Sequence, residues 1–497
     1  MPEATQRNVV VDGLIGLVAL MSAAACVRGL MFGIPLHDPW LFPMLVVLPG
    51  VLAIVFGAIL VLARPAVRAN VLLLGIGMAV SLYVIEAALQ VLPDRPPPTL
   101  AQVAEARGIA YDARDRVAVA AELRAAGTPA WIVVPANRLR AAAETGGLEV
   151  RGVDASGNVG ERLVPLSNVA DRYVVHCNES GQYSRFTTDR YGFNNPPGLW
   201  SGPVDVALVG DSFVHGACVD RAETLVAHVR AAFPATVGVG LDDFGPLSML
   251  GLIREYVALH TPRDVFWFYY EWNDLRDLTR ERESAALRAY LEADAVQGLA
   301  ARQPAIDSAM ADYIDRELMP KADSTAAAEA ESRPGAAASR PRWRRPLRHA
   351  MLEWIKLYRL RGVLALEDPA ERIRYCCDLD TFEAILIDAR DTVAQWNGRL
   401  HFVYLPAALR YSRPLSRILD DEIRLRSRIL DIASRLDLPV IDLAAALEAT
   451  GDPAGLYVDF RSHFNTAGNR IAGEAIVRHL QSAEHATETP PGPAGTR

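Results

Sequence analysis

Hydrophobic positions are distributed unevenly along the chain. Near the N-terminus they form three long apolar runs, residues 13–35, 41–63 and 70–92, and the middle run has no charged residue. About 20 apolar residues are enough to cross a bilayer, so this pattern predicts three transmembrane helices. Beyond residue 200, amphipathic stretches alternate with the strand-like runs VDVALVG, ATVGVGL, DVFWFYY, RLHFVYL and LPVIDL. Such alternation is typical of a parallel sheet covered by helices on both faces.

The same pattern divides the chain into segments. Residues 1–95 form the transmembrane region, and the proline-rich PDRPPPTL leads out of it. We predict an extracytoplasmic α/β connecting segment over 96–200 and an α/β domain over 201–480. An insertion over about 275–378 looks helical at both ends, around the polar stretch STAAAEAESRPGAAASRP, and forms either a lid or an edge decoration. Residues 481–497 are predicted to be a disordered tail.

The charges beside the apolar runs predict the orientation of the chain. Arg7 precedes the first run, and Arg64 and Arg68 lie between the second and third. Under the positive-inside rule these residues are cytoplasmic, and three crossings place everything after residue 93 outside. In a bacterium this describes an inner-membrane protein with a periplasmic domain. Glu86 is close to the outer end of the third run, where we expect a hydrated interfacial side chain.

Composition and cysteine spacing narrow the function classes. The net charge of −8 and the pI near 5.8 disfavour a nucleic-acid partner. Four of the five cysteines lie beyond the apolar runs, but they have no metal-binding CxxC spacing, and their pairing cannot be deduced from the sequence. The sequence therefore predicts no metal ion and no cofactor.

A serine stands at the mouth of the first strand, in VDVALVGDSFVHGACVD. Ligands of open α/β sheets bind beyond the carboxyl ends of the strands, and Ser212 falls where the strand gives way to a helix. There the backbone N–H of Ser212 and the positive end of the helix favour a developing oxyanion. The alternative is that Asp211 or Ser212 is an ordinary helix N-cap.

A serine becomes a good nucleophile when a histidine accepts its proton and a carboxylate orients that histidine. His463 lies in a loop after the last strand, and Asp459 precedes it by four residues. We predict that His463 is the general base and Asp459 its orienting acid. His215 is expected to line the pocket with Asp211, because it falls on the first turn of the helix. Asn273, at the end of the third strand, is a candidate oxyanion donor, with an ordinary Asn-Asp turn as the alternative.

Taken in order, GDSF, a glycine-rich second segment, WND and a terminal D…H…N…G pattern resemble the blocks of the SGNH (GDSL-type) hydrolases, over roughly Val204–Leu480. The upstream TDRYGFNNP is similar to a segment of membrane-anchored bacterial members. The resemblance implies a flavodoxin-like three-layer α/β/α sandwich. It also implies that Ser212 is the nucleophile, the Ser212 N–H and Asn273 are oxyanion donors, His463 is the base and Asp459 is its orienting acid.

Three positions depart from the family pattern. The family's acid precedes its histidine by three residues, or by two in some polysaccharide acetyltransferases, whereas Asp459 is four residues away. Asp243 occupies the position of the usual oxyanion glycine, so its backbone N–H, or that of Gly245, is the expected donor. Trp272 fills a place often held by glycine, where it narrows the pocket or provides a stacking face.

These residues predict two-step acyl transfer by a membrane-anchored serine esterase that acts on acyl esters, above all acetyl esters, of envelope carbohydrate. The same residues would serve an O-acetyltransferase that modifies a surface polysaccharide, and a catalytically inactive glycan-binding or scaffold protein is the third hypothesis. The predicted partners are an acylated glycan, the membrane and a polytopic membrane protein that donates acyl groups. Trp267, Tyr269 and Tyr270 are either sugar-stacking residues or core residues.

Overall fold

The chain forms two compact units. In the computed structural model the described residues are 9–31, 46–91, 99–148, 151–153, 159–319, 347–363, 378–412, 423, 425–458 and 463–488. The N-terminal unit comprises Met1–Arg95 and Arg340–Leu366, and the α/β unit comprises Pro96–Ser339 and Glu367–Arg497. Part of the predicted insertion therefore belongs to the N-terminal unit.

Three apolar helices open the N-terminal unit: α1 (Val9–Met31), α2 (Leu48–Leu62) and α3 (Pro65–Val91). Two stretches are long and apolar enough to cross a membrane, Val9–Arg28 and Pro65–Gln90. The helix α2 has 15 residues, about 22 Å at 1.5 Å per residue, which is shorter than the roughly 30 Å of a bilayer core. The residues just before it lie outside the described part of the chain. Two of the predicted spans are thus present as long apolar helices, and the third remains a prediction.

An ion pair fixes the relative direction of two of these helices. Arg68, near the start of α3, places its guanidinium 2.8 Å from the carboxylate of Asp12, near the start of α1. The two helices therefore begin on the same side of the unit. The helix α2, which packs against α1, returns the chain between them.

The remaining helices and all described strands follow in chain order. The helices are α4 (Leu100–Ala106), α5 (Arg116–Ala125), α6 (Ala136–Thr145), α7 (Ser212–His215), α8 (Leu225–Ala232), α9 (Pro246–Leu252), α10 (Asp274–Glu281), α11 (Ala285–Arg288), α12 (Gln303–Tyr313), α13 (Leu347–Ile355), α14 (Tyr358–Val363), α15 (Leu379–Ala394), α16 (Leu409–Ser412), α17 (Arg426–Arg435), α18 (Leu443–Glu448) and α19 (Thr466–Glu488). The strands are β1 (Ala130–Ile132), β2 (Arg151–Val153), β3 (Val159–Arg162), β4 (Tyr173–Val175), β5 (Arg185–Thr187), β6 (Val206–Gly210), β7 (Thr236–Gly240), β8 (Asp264–Tyr270), β9 (Arg399–Leu405) and β10 (Val440–Asp442). Helices α13 and α14 belong to the N-terminal unit.

The main sheet has five parallel strands in the order β7-β6-β8-β9-β10. This confirms the predicted α/β class with a parallel sheet, and its strands coincide with the five apolar runs of the sequence. The chain passes from β6 to β7 on one side and then to β8 on the other. The carboxyl end of β6 therefore lies where the strand order reverses, the usual position of a ligand site in such sheets.

Alternate side chains of the central strands pack on opposite faces of this sheet. On β6, Val206 and Leu208 belong to one buried cluster, while Ala207 and Val209 belong to another. Helices α8 and α19 contribute side chains to the first cluster, and α9 and α15 contribute to the second. A strand buried on both faces needs apolar residues at consecutive positions, which is why VDVALVG reads as a continuous run.

The connecting segment packs against the main sheet within the same unit. Strand β1 pairs with β4 in parallel, β4 pairs with β5 antiparallel, and β2 forms a hairpin with β3. Side chains of β1 and β4 share one buried cluster with the sheet. The first part of the predicted insertion, α10 to α12, contributes Leu278 and Ile306 to that cluster as well.

The segment TDRYGFNNP is organised around one buried carboxylate. Asp189 is fully buried, and its Oδ1 accepts the backbone N–H groups of Tyr191 (2.9 Å) and Phe193 (3.0 Å). Its Oδ2 accepts the side-chain N–H groups of Asn195 (2.9 Å) and Trp200 (2.6 Å). Four donors thus converge on one carboxylate.

Asn195 continues this network into the main sheet. Its amide donates to the carbonyl of Gly238 in β7 (2.8 Å) and accepts the N–H of the same residue (2.9 Å). Gly192 lies at φ +87°, and a Cβ there would come within 1.9 Å of the Asn168 carbonyl oxygen. The segment therefore has a structural role: it joins the connecting segment to the sheet.

Replacing Asp189 with asparagine should lower the free energy of unfolding of the α/β unit by about 3 kcal/mol, because an amide group would face donors that have no other acceptor. Urea denaturation of the full chain in detergent, followed by near-UV circular dichroism, measures this loss. Asp205→Asn, at an exposed acid just before β6, is the matched control and should change the value by no more than about 0.5 kcal/mol. Equal midpoints for the two variants would contradict the assignment.

Candidate active site

The serine at the end of β6 sits on a tight strand-to-helix turn. Gly210 ends the strand, and a Cβ there would lie 2.6 Å from the side chain of Val214, so a glycine is required. Asp211 caps the four-residue helix α7 by accepting the N–H of Phe213 (3.0 Å). The turn leaves Ser212, 7% exposed, at the carboxyl edge of the sheet. The N-cap is therefore Asp211, and the Ser212 hydroxyl is left for another partner.

That partner is His463. Its Nε2 lies 2.8 Å from Ser212 Oγ, which is shorter than the 3.4 Å between the same hydroxyl and Asp211. The loop is held beside the serine because Val458 N–H donates to the carbonyl of His463 (3.0 Å) and Phe464, fully buried, packs on Phe213. The structure brings together the two residues that were predicted as nucleophile and base.

The other imidazole nitrogen contacts an acid from a distant part of the chain. His463 Nδ1 lies 2.9 Å from Glu179 Oε2. Asp459, the acid predicted for this position, lies outside the described residues, so the structure does not place it. Glu179 was not identified from the sequence. The orienting acid that the structure provides is Glu179, 284 residues before the histidine.

A disulfide fixes the loop that carries this acid. Cys177 and Cys218 are bonded, with Cα atoms 5.0 Å apart, and they lie two residues before Glu179 and six residues after Ser212. Ser180 adds a hydrogen bond from its hydroxyl to the carbonyl of Cys218 (3.1 Å). The only sequence signal for Glu179 was its position in HCNES, next to a cysteine.

The electrostatics of the site favour a protonated imidazole at rest. Burial by itself lowers the pKa of His463, but the charge and hydrogen bond of Glu179, with the charges of Asp242 and Asp211, outweigh it and raise the pKa to about 9. The neutral form that can accept a proton from Ser212 is therefore a minor species at neutral pH. Its population increases as the pH approaches 9.

A second acid–histidine cluster lies deeper in the unit. Asp242, in the loop after β7, contacts His176 Nε2 with one carboxylate oxygen (2.7 Å) and His215 Nδ1 with the other (2.9 Å). Burial lowers the pKa of His176, so its neutral imidazole donates to the Asp242 carboxylate. Ligands of a tetrahedral zinc ion would be about 3.3 Å apart, so these shorter contacts are hydrogen bonds. His215, buried and bonded to Asp242, is not paired with the serine.

The candidate oxyanion donors have different environments. The N–H of Gly245 donates to Glu281 (2.8 Å) at the start of α9, so it is not available to an oxyanion, and the predicted fallback role is wrong. Asp243 has φ +66°, the left-handed conformation that a glycine readily adopts. Asn273 donates from Nδ2 to Asp277 (2.8 Å), which leaves the second N–H of this amide for another acceptor.

Several carboxyl groups near the serine have raised pKa values. Burial raises the pKa of Asp211 and of Asp243 to about 6, and that of Asp277 to about 7. It also raises the pKa of Asp274 well above its ordinary value, with the charge of Asp211 adding to the effect. The negative charge opposing an oxyanion is therefore smaller at neutral pH than four freely ionised acids would give.

The aromatic residues of the third strand are mostly core residues. Trp267, Tyr269 and Tyr270 are buried in β8, so they do not offer a face to a sugar. Trp272 is only half-buried, and the guanidinium of Arg276 lies 5.2 Å from its ring centre. It is the aromatic residue of the predicted set that remains accessible beside the site.

A cavity of about 600 Å³ with a mixed apolar and polar lining borders the acid side of the site. Its lining includes Ser180, which follows Glu179, together with Gln182, Glu223 and Thr466. Hydroxyl, amide and carboxylate groups of this kind suit a hydroxyl-rich ligand.

Neither a protein-family model nor a curated protein matches this chain. The resemblance to the SGNH hydrolases therefore stays a prediction. What the site can do is inferred from its geometry.

Proposed function

We propose that this protein is a membrane-anchored serine esterase of the SGNH type that hydrolyses acyl esters, above all acetyl esters, of envelope carbohydrate. The observation that carries the proposal is the chain of contacts from Ser212 Oγ to His463 Nε2 (2.8 Å) and from His463 Nδ1 to Glu179 (2.9 Å). A nucleophile, a base and an orienting carboxylate in this arrangement perform acyl transfer on several unrelated folds.

The reaction follows from these contacts. Ser212 Oγ attacks the ester carbonyl carbon as its proton passes to His463 Nε2, and the tetrahedral intermediate collapses when that proton is given to the leaving alcohol. Water then attacks the acyl-serine, with His463 again accepting and returning the proton, and the free acid leaves. Glu179 holds the Nδ1–H and stabilises the imidazolium throughout.

The oxyanion is assigned to two donors. The first is the backbone N–H of Ser212 at the start of α7, and the second is the N–H of Asn273 that is not used by Asp277. Preorganised donors of this kind lower the barrier because they are already oriented when the charge develops.

The fold and the predicted location agree with this assignment. The main sheet has its strands in the chain order second, first, third, fourth, fifth, as in flavodoxin-like folds, and we assign the unit to that three-layer architecture. We also assign α2 as a third span, with Arg64 and Arg68 cytoplasmic and the α/β unit in the bacterial periplasm. A disulfide beside the site suits that oxidising compartment.

An O-acetyltransferase is the second candidate function. It is favoured by the polar groups in the lining of the cavity beside the site, which suit an acceptor hydroxyl in place of water. It is also favoured by an N-terminal unit with more apolar helices than a tether requires. A polytopic acyl-donor protein would then be the partner. A catalytically inactive glycan-binding protein is less well supported, because it would have no need for the contacts of Ser212 and His463.

The test uses the full chain in nanodiscs. A fluorophosphonate probe should react with Ser212, mapped by peptide mass spectrometry, and p-nitrophenyl acetate should release acetate. Addition of an unacetylated oligosaccharide then separates the two enzymatic functions: acetate alone indicates an esterase, and an acetylated sugar indicates a transferase. No labelling, or labelling at another residue, would overturn the catalytic proposal.

The pH profile provides an independent check. Because the pKa of His463 is raised to about 9 and the neutral imidazole is the base, kcat/KM should rise about tenfold per pH unit below pH 9 and level off above it. Initial rates between pH 6 and 10, corrected for spontaneous hydrolysis, measure the inflection. A plateau already reached near pH 7 would contradict this assignment.

A further inference from the structure

Helices α13 and α14 lie far from the apolar runs in sequence but pack in the N-terminal unit. Residues 340–366 of the predicted insertion group with residues 1–95, and α14 packs on α3. The described part of this segment therefore packs with the apolar helices of the N-terminal unit.

The contact with α3 is specific and centres on Glu86. Its carboxylate accepts the backbone N–H groups of Arg359 (3.0 Å) and Leu360 (2.7 Å) in α14, and also the side-chain amide of Gln90 (2.7 Å). Glu86 is fully buried, so the prediction of a hydrated interfacial side chain is wrong. These three donors satisfy the hydrogen-bonding needs of a carboxylate that lies in a largely apolar helix.

A second set of contacts fixes α13. Tyr83 donates its hydroxyl to the carbonyl of Ile355 (3.2 Å), and its ring centre lies 4.6 Å from that of Trp354. The guanidinium of Arg359 adds bonds to the carbonyl of Leu89 (3.1 and 3.2 Å). All these contacts fall on the last two turns of the candidate span Pro65–Gln90.

Large apolar side chains of the helix pair α13–α14 nevertheless remain exposed. The following residues are each between 41% and 55% exposed: Met351, Leu352, Trp354, Ile355 and Tyr358. The adjoining part of α3 is equally uncovered, with Val84 61% and Ile85 45% exposed. The uncovered surface is thus continuous with that of a helix suited to hydrocarbon.

The charge of the segment points to one kind of partner. Residues 340–366 contain eight lysines and arginines and one acid, Glu353, whereas the whole chain has a net charge of −8. Basic residues beside exposed Trp, Tyr, Leu and Ile are the composition of helices that lie in the headgroup layer of anionic membranes.

We infer that residues 347–363 seat in the lipid headgroup layer at the C-terminal end of α3, and that their partner is a bilayer surface containing anionic phospholipid. The α/β unit is then joined to the membrane at three points of the chain, near residues 95, 339 and 366, rather than at one. The inference rests on the N-terminal unit and holds whether or not the proposed esterase function is correct.

The test places the photoreactive amino acid p-benzoylphenylalanine at Ile355 of the full chain in nanodiscs of phosphatidylcholine and phosphatidylglycerol. The control places it at Leu259, which is 59% exposed in the α/β unit. After irradiation, phospholipid adducts at 355 should exceed those at 259 by about tenfold and should decrease when phosphatidylglycerol is omitted. Equal adduct yields at the two positions would overturn the inference. In native membranes, an adduct of 355 with another polypeptide in place of lipid would overturn it too.

A second variant tests the docking contact. Glu86→Ala should release the helix pair from α3 and increase tryptic cleavage at Lys356 and Arg359 at least about fivefold, while Glu86→Gln, which keeps one acceptor oxygen, should lie between it and the wild type. Fluorophosphonate labelling of the same samples reports separately on the α/β unit. Unchanged cleavage in Glu86→Ala would contradict the contact.

Discussion

Replacing Ser212 with alanine is expected to lower kcat for p-nitrophenyl acetate at least about 10⁴-fold, because the variant has no oxygen to form the acyl intermediate. The change removes one atom at a 7% exposed position, so the thermal midpoint should stay within a few degrees of the wild type. The measurement is the burst and steady-state release of p-nitrophenol by the full chain in nanodiscs. Fluorophosphonate labelling should disappear with the turnover.

The control for this prediction is Ser201→Ala. Ser201 is an exposed serine in the short turn before β6, and its loss should leave turnover within about twofold of the wild type. If Ser212→Ala retained wild-type turnover, the esterase activity would have to come from another residue or from a contaminant.

The second large effect concerns the orienting acid. Glu179→Gln should lower kcat by about 10² to 10⁴-fold, because an amide can present a donor to His463 Nδ1 and favour the wrong tautomer. The same change removes the principal charge that raises the pKa of His463. The inflection of the pH profile should therefore move to lower pH even as the plateau falls, which a merely structural loss would not produce.

Asp459→Asn is the matched experiment, since Asp459 is the acid that spacing suggests. If Glu179 is the orienting residue, Asp459→Asn should keep kcat within about threefold of the wild type. The reverse result, a large loss for Asp459 and a small one for Glu179, would reject the assignment of Glu179. Comparable large losses in both variants would mean that the two acids share the role.

The sequence alone was sufficient to identify the candidate nucleophile and the candidate base. Ser212 follows a continuous apolar strand, which places it at the carboxyl edge of the sheet. His463 lies in the loop before the last helix, and this loop returns to the same edge. Glu179 could not be found in this way. It is not at a strand end of the main sheet, and its approach to His463 depends on a disulfide whose pairing no spacing rule predicts.

The two remaining errors have physical causes of the same kind. Gly245 was expected to donate to the oxyanion, but its N–H is one of the groups at the start of α9, and Glu281 satisfies it from another helix. Glu86 was expected to be hydrated, but its carboxylate is buried and accepts the backbone N–H of Arg359, 273 residues further along the chain. Local sequence patterns do not reveal contacts between residues that are so far apart in the chain.

The bond between Cys177 and Cys218 also implies an order of events in the maturation of the protein. The bond crosslinks the loop of Glu179 to the loop of Ser212. Before it forms, Ser212 can already be in place while Glu179 is not yet held against His463. Under the proposed location, the thiols stay reduced in the cytoplasm, and the proposed esterase activity is expected only after oxidation in the periplasm. Turnover that rises in step with loss of free thiols during refolding would reveal this order of events, and turnover that is complete while both thiols are still free would refute it.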